Sequence, residues 1–163
     1  MDRRLLILGC LCLLPLVACD SNDGDGGANC GGTTGKGTFT ATIPSGSFEA
    51  RCLTGSFSSG VLSVGGNLGA SASGGVLQEQ ITLAIPGAQA GRTYNFGSGP
   101  VATYTRVESS NPTNPNASYA STTGSVKVDA VSATAAKGTF SFTGRNNAGQ
   151  TISISNGSFD VTF

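Results

Sequence analysis

The stretch Gly37-Thr38-Phe39-Thr40-Ala41-Thr42-Ile43-Pro44-Ser45-Gly46-Ser47-Phe48-Glu49-Ala50-Arg51-Cys52 decides the fold class. Phe39, Ala41 and Ile43 alternate with Thr38, Thr40 and Thr42. Phe48, Ala50 and Cys52 then alternate with Ser47, Glu49 and Arg51. A period of two sends successive side chains to opposite faces of an extended strand, one face apolar and the other wet. Pro44-Ser45-Gly46 between the two runs supplies the fixed φ and the permissive glycine that a turn needs. The stretch reads as a β-hairpin.

Working outward, the same alternation marks Gly60–Val64, Val76–Ile85, Thr93–Phe96, Val101–Val107, Ser118–Thr122, Ser125–Val131, Gly138–Thr143, Gln150–Ser155 and Gly157–Phe163. Clusters of Gly, Asn, Pro and Ser separate these runs, and none carries helical periodicity. The Ala-rich piece from Val131 to Lys137 reads as a turn. The expected fold is all-β: an antiparallel β-sandwich of about ten short strands over residues 37–163. A closed meander β-barrel is the alternative, because neighbouring hairpins dominate and either closure buries the same faces.

A short unit recurs at Gly37-Thr38-Phe39, Gly46-Ser47-Phe48, Gly55-Ser56-Phe57, Gly138-Thr139-Phe140 and Gly157-Ser158-Phe159, and it holds five of the eight phenylalanines. It reads as core construction, with glycine permitting a turn, the hydroxyl facing water and the ring pointing inward. Asn156-Gly157 is a two-residue hairpin signal and is expected to join the last two strands.

The front of the chain carries an address. Met1-Asp2-Arg3-Arg4 is a short basic start, and Leu5 to Val17 is apolar apart from Gly9, Cys10, Cys12 and Pro15. This is the layout of a secretory signal, and the run falls short of the roughly 20 apolar residues that a spanning helix needs. It ends in Leu16-Val17-Ala18-Cys19, which resembles the bacterial lipobox. The resemblance implies a signal peptide over residues 1–18, diacylglycerol on the Cys19 thiol and cleavage before that cysteine. The mature chain would be held to a membrane of the bacterial cell envelope, since acyl chains add roughly 0.8 kcal/mol of affinity per buried CH₂. Asp20 resembles an inner-membrane retention signal of enteric bacteria, and the choice of inner or outer membrane stays open. Residues 19–36 are dense in glycine and lack apolar periodicity, so they read as a lipidated flexible tether.

Composition narrows function. Processing would remove Arg3, Arg4 and Asp2, leaving seven basic and eight acidic residues. That balance offers no electrostatic footprint for nucleic acid. Cys30 and Cys52 are the two cysteines left in the exported domain, and an oxidising compartment favours a bridge between them. It would close a loop of about 22 residues, worth roughly 3 kcal/mol in the chain-entropy model.

The chain has no histidine, which excludes Ser-His-Asp and Cys-His catalysis and the usual zinc sites. Asp23-Gly24-Asp25-Gly26 lacks the remaining ligands of a calcium loop. Glu49, Glu79, Glu108, Asp129 and Asp160 are scattered singly and read as solvent-facing charges; Lys127 alternates outward between Val126 and Val128. No enzyme, metal or cofactor is expected.

Binding remains. Asn111-Pro112-Thr113-Asn114-Pro115-Asn116 is the longest excursion between strands. Asn111, Asn114 and Asn116, with the nearby Tyr119, are the candidate contacts for an envelope protein or polymer. A small apolar-ligand carrier built on a barrel cavity is one alternative. A carbohydrate-binding module using Tyr94, Tyr104 and Tyr119 is another.

Three stretches, Ser125–Asp129 (SVKVD), Gly138–Gly144 (GTFSFTG) and Thr151–Phe163 (TISISNGSFDVTF), resemble the ending of an uncharacterised group of small bacterial lipoproteins. Phe39–Arg51 (FTATIPSGSFEAR) resembles that group's first hairpin and Gly91–Gly97 (GRTYNFG) its central strand. The resemblance implies a small β-domain and a lipid-anchored address, and it brings no activity with it.

Overall fold

The computed structural model describes residues 35–68, 77–108 and 116–163. Cys19, Cys30, Asn111 and Asn114 lie outside the described residues, together with the signal peptide and nearly all of the tether. The described chain forms ten strands: β1 (Lys36–Ile43), β2 (Gly46–Glu49), β3 (Cys52–Ser58), β4 (Val61–Asn67), β5 (Leu77–Pro86), β6 (Arg92–Asn95), β7 (Val101–Glu108), β8 (Asn116–Val131), β9 (Ala135–Arg145) and β10 (Thr151–Thr162). The all-β class and the strand number are those expected.

All strands belong to one antiparallel sheet in the order β2-β1-β10-β9-β8-β7-β5-β4-β3, with β6 attached to β8. The two layers of a sandwich are therefore replaced by a single sheet curled on itself, as in the barrel alternative. Its two ends are consecutive in the chain, because only Ala50 and Arg51 separate β2 from β3. The Ala50 N–H donates to Phe39 O at 2.9 Å, prolonging the β1–β2 ladder, and the Arg51 N–H donates to Asn67 O at 2.9 Å, opening the β3–β4 ladder. One bent ribbon thus changes partners at this corner. A single bridge between Gly35 and Leu53 ties the start of β1 to β3. The corner needs a residue without a side chain behind it: a Cβ on Gly66 would lie 2.6 Å from Ala50 Cβ and 2.9 Å from the Phe39 ring.

The concave face is filled by side chains. Phe39, Phe48, Phe159, Leu62, Ile81, Leu83, Ile85, Ile154, Val126, Val128 and Val161 are all less than 2% exposed. Five rings form a chain through this interior: Phe48–Phe39 (6.2 Å between centroids), Phe39–Phe140 (5.3 Å), Phe140–Phe142 (6.4 Å) and Phe142–Phe96 (5.8 Å).

The glycine–phenylalanine unit has a different role from the expected turn in three of its five copies. Gly37 and Gly46 do have positive φ (124° and 131°), whereas Gly55, Gly138 and Gly157 do not. In β9 and β10 the units face one another reciprocally, with Gly138 opposite Phe159 and Gly157 opposite Phe140. Each ring rests over the other strand's glycine. A Cβ on Gly157 would come within 2.6 Å of the Phe140 ring, and one on Gly138 within 2.6 Å of Phe159 Cζ. Glycine supplies the room and the cross-strand ring covers the exposed backbone.

Asn156-Gly157 is likewise not a hairpin turn. It sits inside β10, where the β9–β10 register shifts between Ile154 and Gly157. Asn156 adopts φ 51°, a left-handed conformation that asparagine tolerates better than most residues. The bulge moves the inward row from Ile152 and Ile154 to Gly157, Phe159 and Val161. The expected strands Ser118–Thr122 and Ser125–Val131 are also one strand, β8, with a register shift between Ser121 and Thr123 and Gly124 at φ 115°. A two-residue turn signal and a one-residue bulge use the same residue types, and only the partner strand distinguishes them.

Gly138→Ala is expected to destabilise by about 2 kcal/mol, since its methyl would meet both the Phe159 ring and the Lys127 carbonyl oxygen. For Gly157→Ala the three nearest atoms to the new methyl all belong to the Phe140 ring, and the cost should be smaller. Urea denaturation of the two variants checks both the magnitude and the order.

Candidate functional site

Glu79 breaks the outward default for charged strand residues. On β5 the inward row is Glu79, Ile81, Leu83 and Ile85, and Glu79 is 3% exposed. Among the described residues it is the one buried charged side chain. A carboxylate removed from water must recover its lost hydration from fixed donors. Glu79 Oε1 accepts a hydrogen bond from the Tyr104 hydroxyl at 2.7 Å and another from Ser45 Oγ at 3.2 Å. The Arg106 Nε stands 3.9 Å away.

Three elements bring these groups together. Register places Arg106 directly opposite Glu79 and Tyr104 opposite Ile81 on the β5–β7 ladder. Ser45 lies in the β1–β2 turn, whose tip reaches across to the opposite wall. The β1 ladder carries a register shift between Thr40 and Thr42, which bends the hairpin before it reaches Glu79. Tyr119 on β8 is opposite Tyr104, with ring centroids 6.1 Å apart and tilted by 33°. The site is therefore a polar cluster at the end of the barrel where β1 turns into β2, β4 ends, β5 begins, β7 ends and β8 begins.

The Tyr104 hydroxyl is held well above the ordinary tyrosine value. Burial is the main cause, reinforced by its hydrogen bond to Glu79 and the charge of that carboxylate; Arg106 acts in the opposite direction. A phenolate here would sit beside a carboxylate in a dry environment, so the neutral hydroxyl remains a donor. The Glu79 cluster is thus built to fix a carboxylate in place and to hold the hairpin tip over the barrel end.

Of the binding residues expected from sequence, Tyr119 joins this cluster. The backbone of Asn116 pairs with Val107 at the start of β8, while Asn111 and Asn114 lie outside the described residues. Tyr94 acts locally. Its hydroxyl donates to Gly87 O and accepts from the Gln89 N–H, both at 2.8 Å, which clamps the loop before β6. Cys52 is 6% exposed and disulfide-bonded; the other four cysteines lie outside the described residues.

Two lysines are held in surface ion pairs, Lys127 with Asp129 and Lys137 with Asp160, each at 2.7 Å. Among the described residues no three His, Cys, Asp or Glu side chains gather as a metal-holding group. On the outer face of β8, β9 and β10 a shallow groove of about 490 Å³ is lined by Ser125, Lys127, Thr139, Ser141, Asn156 and Ser158, among others. Its lining is rich in hydroxyls, and the three tyrosines are all placed elsewhere.

Residues 35–161 match the family described as a domain of unknown function, DUF6252. The chain belongs to that family. No curated protein and no solved structure matches it. The DUF6252 region begins at Gly35, the residue that bridges β1 to β3, and ends at Val161 in the strand that closes on β1. It thus spans the closing contacts of the sheet and the whole Glu79 cluster.

Sequence reasoning places Tyr119 at a binding end, reads Glu79 as a solvent-facing charge, which its burial corrects, and leaves Ser45 and Arg106 unassigned. The signal for Glu79 is present: it continues the Ile81, Leu83, Ile85 row at a spacing of two. Ser45 and Arg106 carry no such signal, because a turn tip and a cross-strand partner are set by register.

Tyr104→Phe is expected to cost about 1–2 kcal/mol, leaving Glu79 without its shortest donor. Linkage gives a second readout. A tyrosine whose folded value is raised contributes stability that is fully present below about pH 10 and declines above it, as the unfolded chain deprotonates first. Urea denaturation between neutral and strongly alkaline pH should show a steeper loss for the wild type than for Tyr104→Phe.

Proposed function

We propose that the chain is a lipid-anchored envelope lipoprotein whose barrel serves as a non-catalytic binding or structural module, presenting the Glu79 end away from its anchor. The direction of β1 carries this reading. β1 starts beside Gly35, where the tether joins, and runs to the Pro44-Ser45 turn that covers Glu79. The start of β1, where the tether joins, and the Glu79 cluster therefore lie at opposite ends of the domain. β7 ends and β8 begins at the far end, and an envelope protein or polymer would meet the domain there.

The packed interior favours this module over an apolar-ligand carrier. A barrel of about eight strands has room either for its own side chains or for one small ligand, and here eleven large side chains are fully buried. The placement of the tyrosines favours a non-stacking contact over a carbohydrate-binding module.

The same reading pairs Cys52 with Cys30. The Gly35 N–H donates to Leu53 O at 3.2 Å, so the arriving chain lies beside Cys52, with about five residues left to reach Cys30. The free tether would then be about ten residues, on the order of 30 Å at full extension.

Labelling with radioactive palmitate tests the anchor. The wild type is expected to take up label and sediment with membranes, and Cys19→Ala to lose both; an unlabelled wild type would sink the proposal. Cys30→Ser is expected to lower stability by roughly 3 kcal/mol, and a free Cys52 thiol should appear on titration of that variant under denaturing conditions.

A further inference from the structure

The charges of the barrel are distributed unevenly around it. The outward positions of β3, β4, β5 and β7 carry Ser, Thr, Gln and small apolar side chains, without one Asp, Glu, Lys or Arg among the described residues. The outward charges lie on the rest of the barrel, as with Lys36, Arg92, Lys127, Asp129, Lys137 and Asp160. The uncharged wall also holds the two large exposed hydrophobic side chains of the described surface, Val61 (36% exposed) and Val101 (48%). They are neighbours through β5: Val61 is opposite Pro86 and Val101 is opposite Ala84. Pro86 and Ala84 are exposed as well, which makes one apolar patch of four residues. Single exposed valines are ordinary; here four neighbouring apolar side chains on a charge-free wall form a surface that gains by burial.

Chain direction locates the patch. β4 begins at Val61, β5 ends at Pro86 and β7 begins at Val101. In an antiparallel meander these points share the end at which β1 begins, beside the tether. Because β1 runs antiparallel to β3, it starts toward the end where β3 ends and β4 starts.

We propose that the β3–β4–β5–β7 wall, led by Val61, Ala84, Pro86 and Val101, is the face that rests on the bilayer surface. This rests on the reading of Cys19 as the lipid anchor. A tether of sixteen residues at most, between Cys19 and Gly35, keeps this end of the barrel close to the headgroups. A charged wall would have to shed its hydration there, while hydroxyls and amides exchange water for headgroup oxygens at little cost and the four apolar residues gain by burial. The Glu79 end then faces away from the lipid.

The test uses the full lipidated protein in vesicles of phosphatidylethanolamine and phosphatidylglycerol containing a spin-labelled phospholipid. A fluorophore is placed on Val101→Cys or, as a control on the opposite wall, on Ser141→Cys. The Val101 probe should be quenched at least about twofold more than the Ser141 probe, as expected for burial of only one wall at the interface. Adding Val61→Glu to the Val101→Cys protein should reduce that quenching, with an unchanged circular dichroism spectrum to show that the exposed position tolerates the charge. Equal quenching of the two probes, or stronger quenching at Ser141, overturns the proposal. So does cross-linking of Val101→Cys to a second copy, which would assign the patch to self-association. Protein that stays on the vesicles with no preference between probes removes this inference alone, whereas protein that carries no lipid removes the anchor reading with it.

Discussion

The reciprocal seating of Phe140 on Gly157 and Phe159 on Gly138 is the contact on which the rest of the barrel depends. A small barrel must bring β9 and β10 close enough for their backbones to pair while large rings fill the space inside. Two glycines make that compatible by removing side chains where the opposite ring lies. Phe140 then reaches Phe39 on β1 and Phe142 on β9, so the last hairpin, the first hairpin and the Phe96 turn are joined through one chain of aromatic contacts. Edge-on and tilted ring pairs of this kind add about 0.5–1.5 kcal/mol each beyond the area they bury.

The same economy governs the polar end. A hydrophobic core can be capped by apolar residues, yet here a carboxylate occupies an inward place near the start of β5. Its cost is offset only because Tyr104, Ser45 and Arg106 converge from two other elements. Breaking such a group by removing one partner costs more than the group contributes when intact. What the arrangement provides is position: it fixes which hairpin covers which wall. The uncharged wall and the buried charge are thus two parts of one distribution, with ionic groups kept off the outer face of β3, β4, β5 and β7 and one of them drawn inside at the Glu79 end.

Much of this was legible from local pattern. Alternation in residues 37–52 gives the first hairpin with its turn, and Gly138 to Thr143 alternates as expected, whereas Ala135 to Lys137, read from sequence as part of a turn, already belongs to β9 and Val131 to β8. The pattern fails where an interaction reaches across strands. Asn156-Gly157 has the chemistry of a turn, and only the continuous β9 partner turns it into a bulge. Gly55 and Gly138 look like strand starters, and only the rings of Phe163 and Phe159 show why they must be small. For the candidate site, Tyr119 could be placed at a loop end from sequence, while Ser45 and Glu79 are 34 residues apart and meet because the sheet curls. Closure itself is invisible to periodicity, since a sandwich and a barrel bury the same alternating faces.

The pairing of β1 with β10 has a consequence for how the protein is made. Thr40 and Ser158 touch across 118 residues of chain, whereas the other ladders join strands that follow one another closely. The first strand must therefore wait, with one edge unpaired, until the last strand is available. Long-range pairing of this kind is slow, because a large loop has to close before any contact rewards it. An open edge is also a template for pairing with another chain. Under the lipid anchor proposed above, a front pinned to the bilayer would limit how neighbouring unfinished copies can align, so the same lipid would guard assembly as well as fix location.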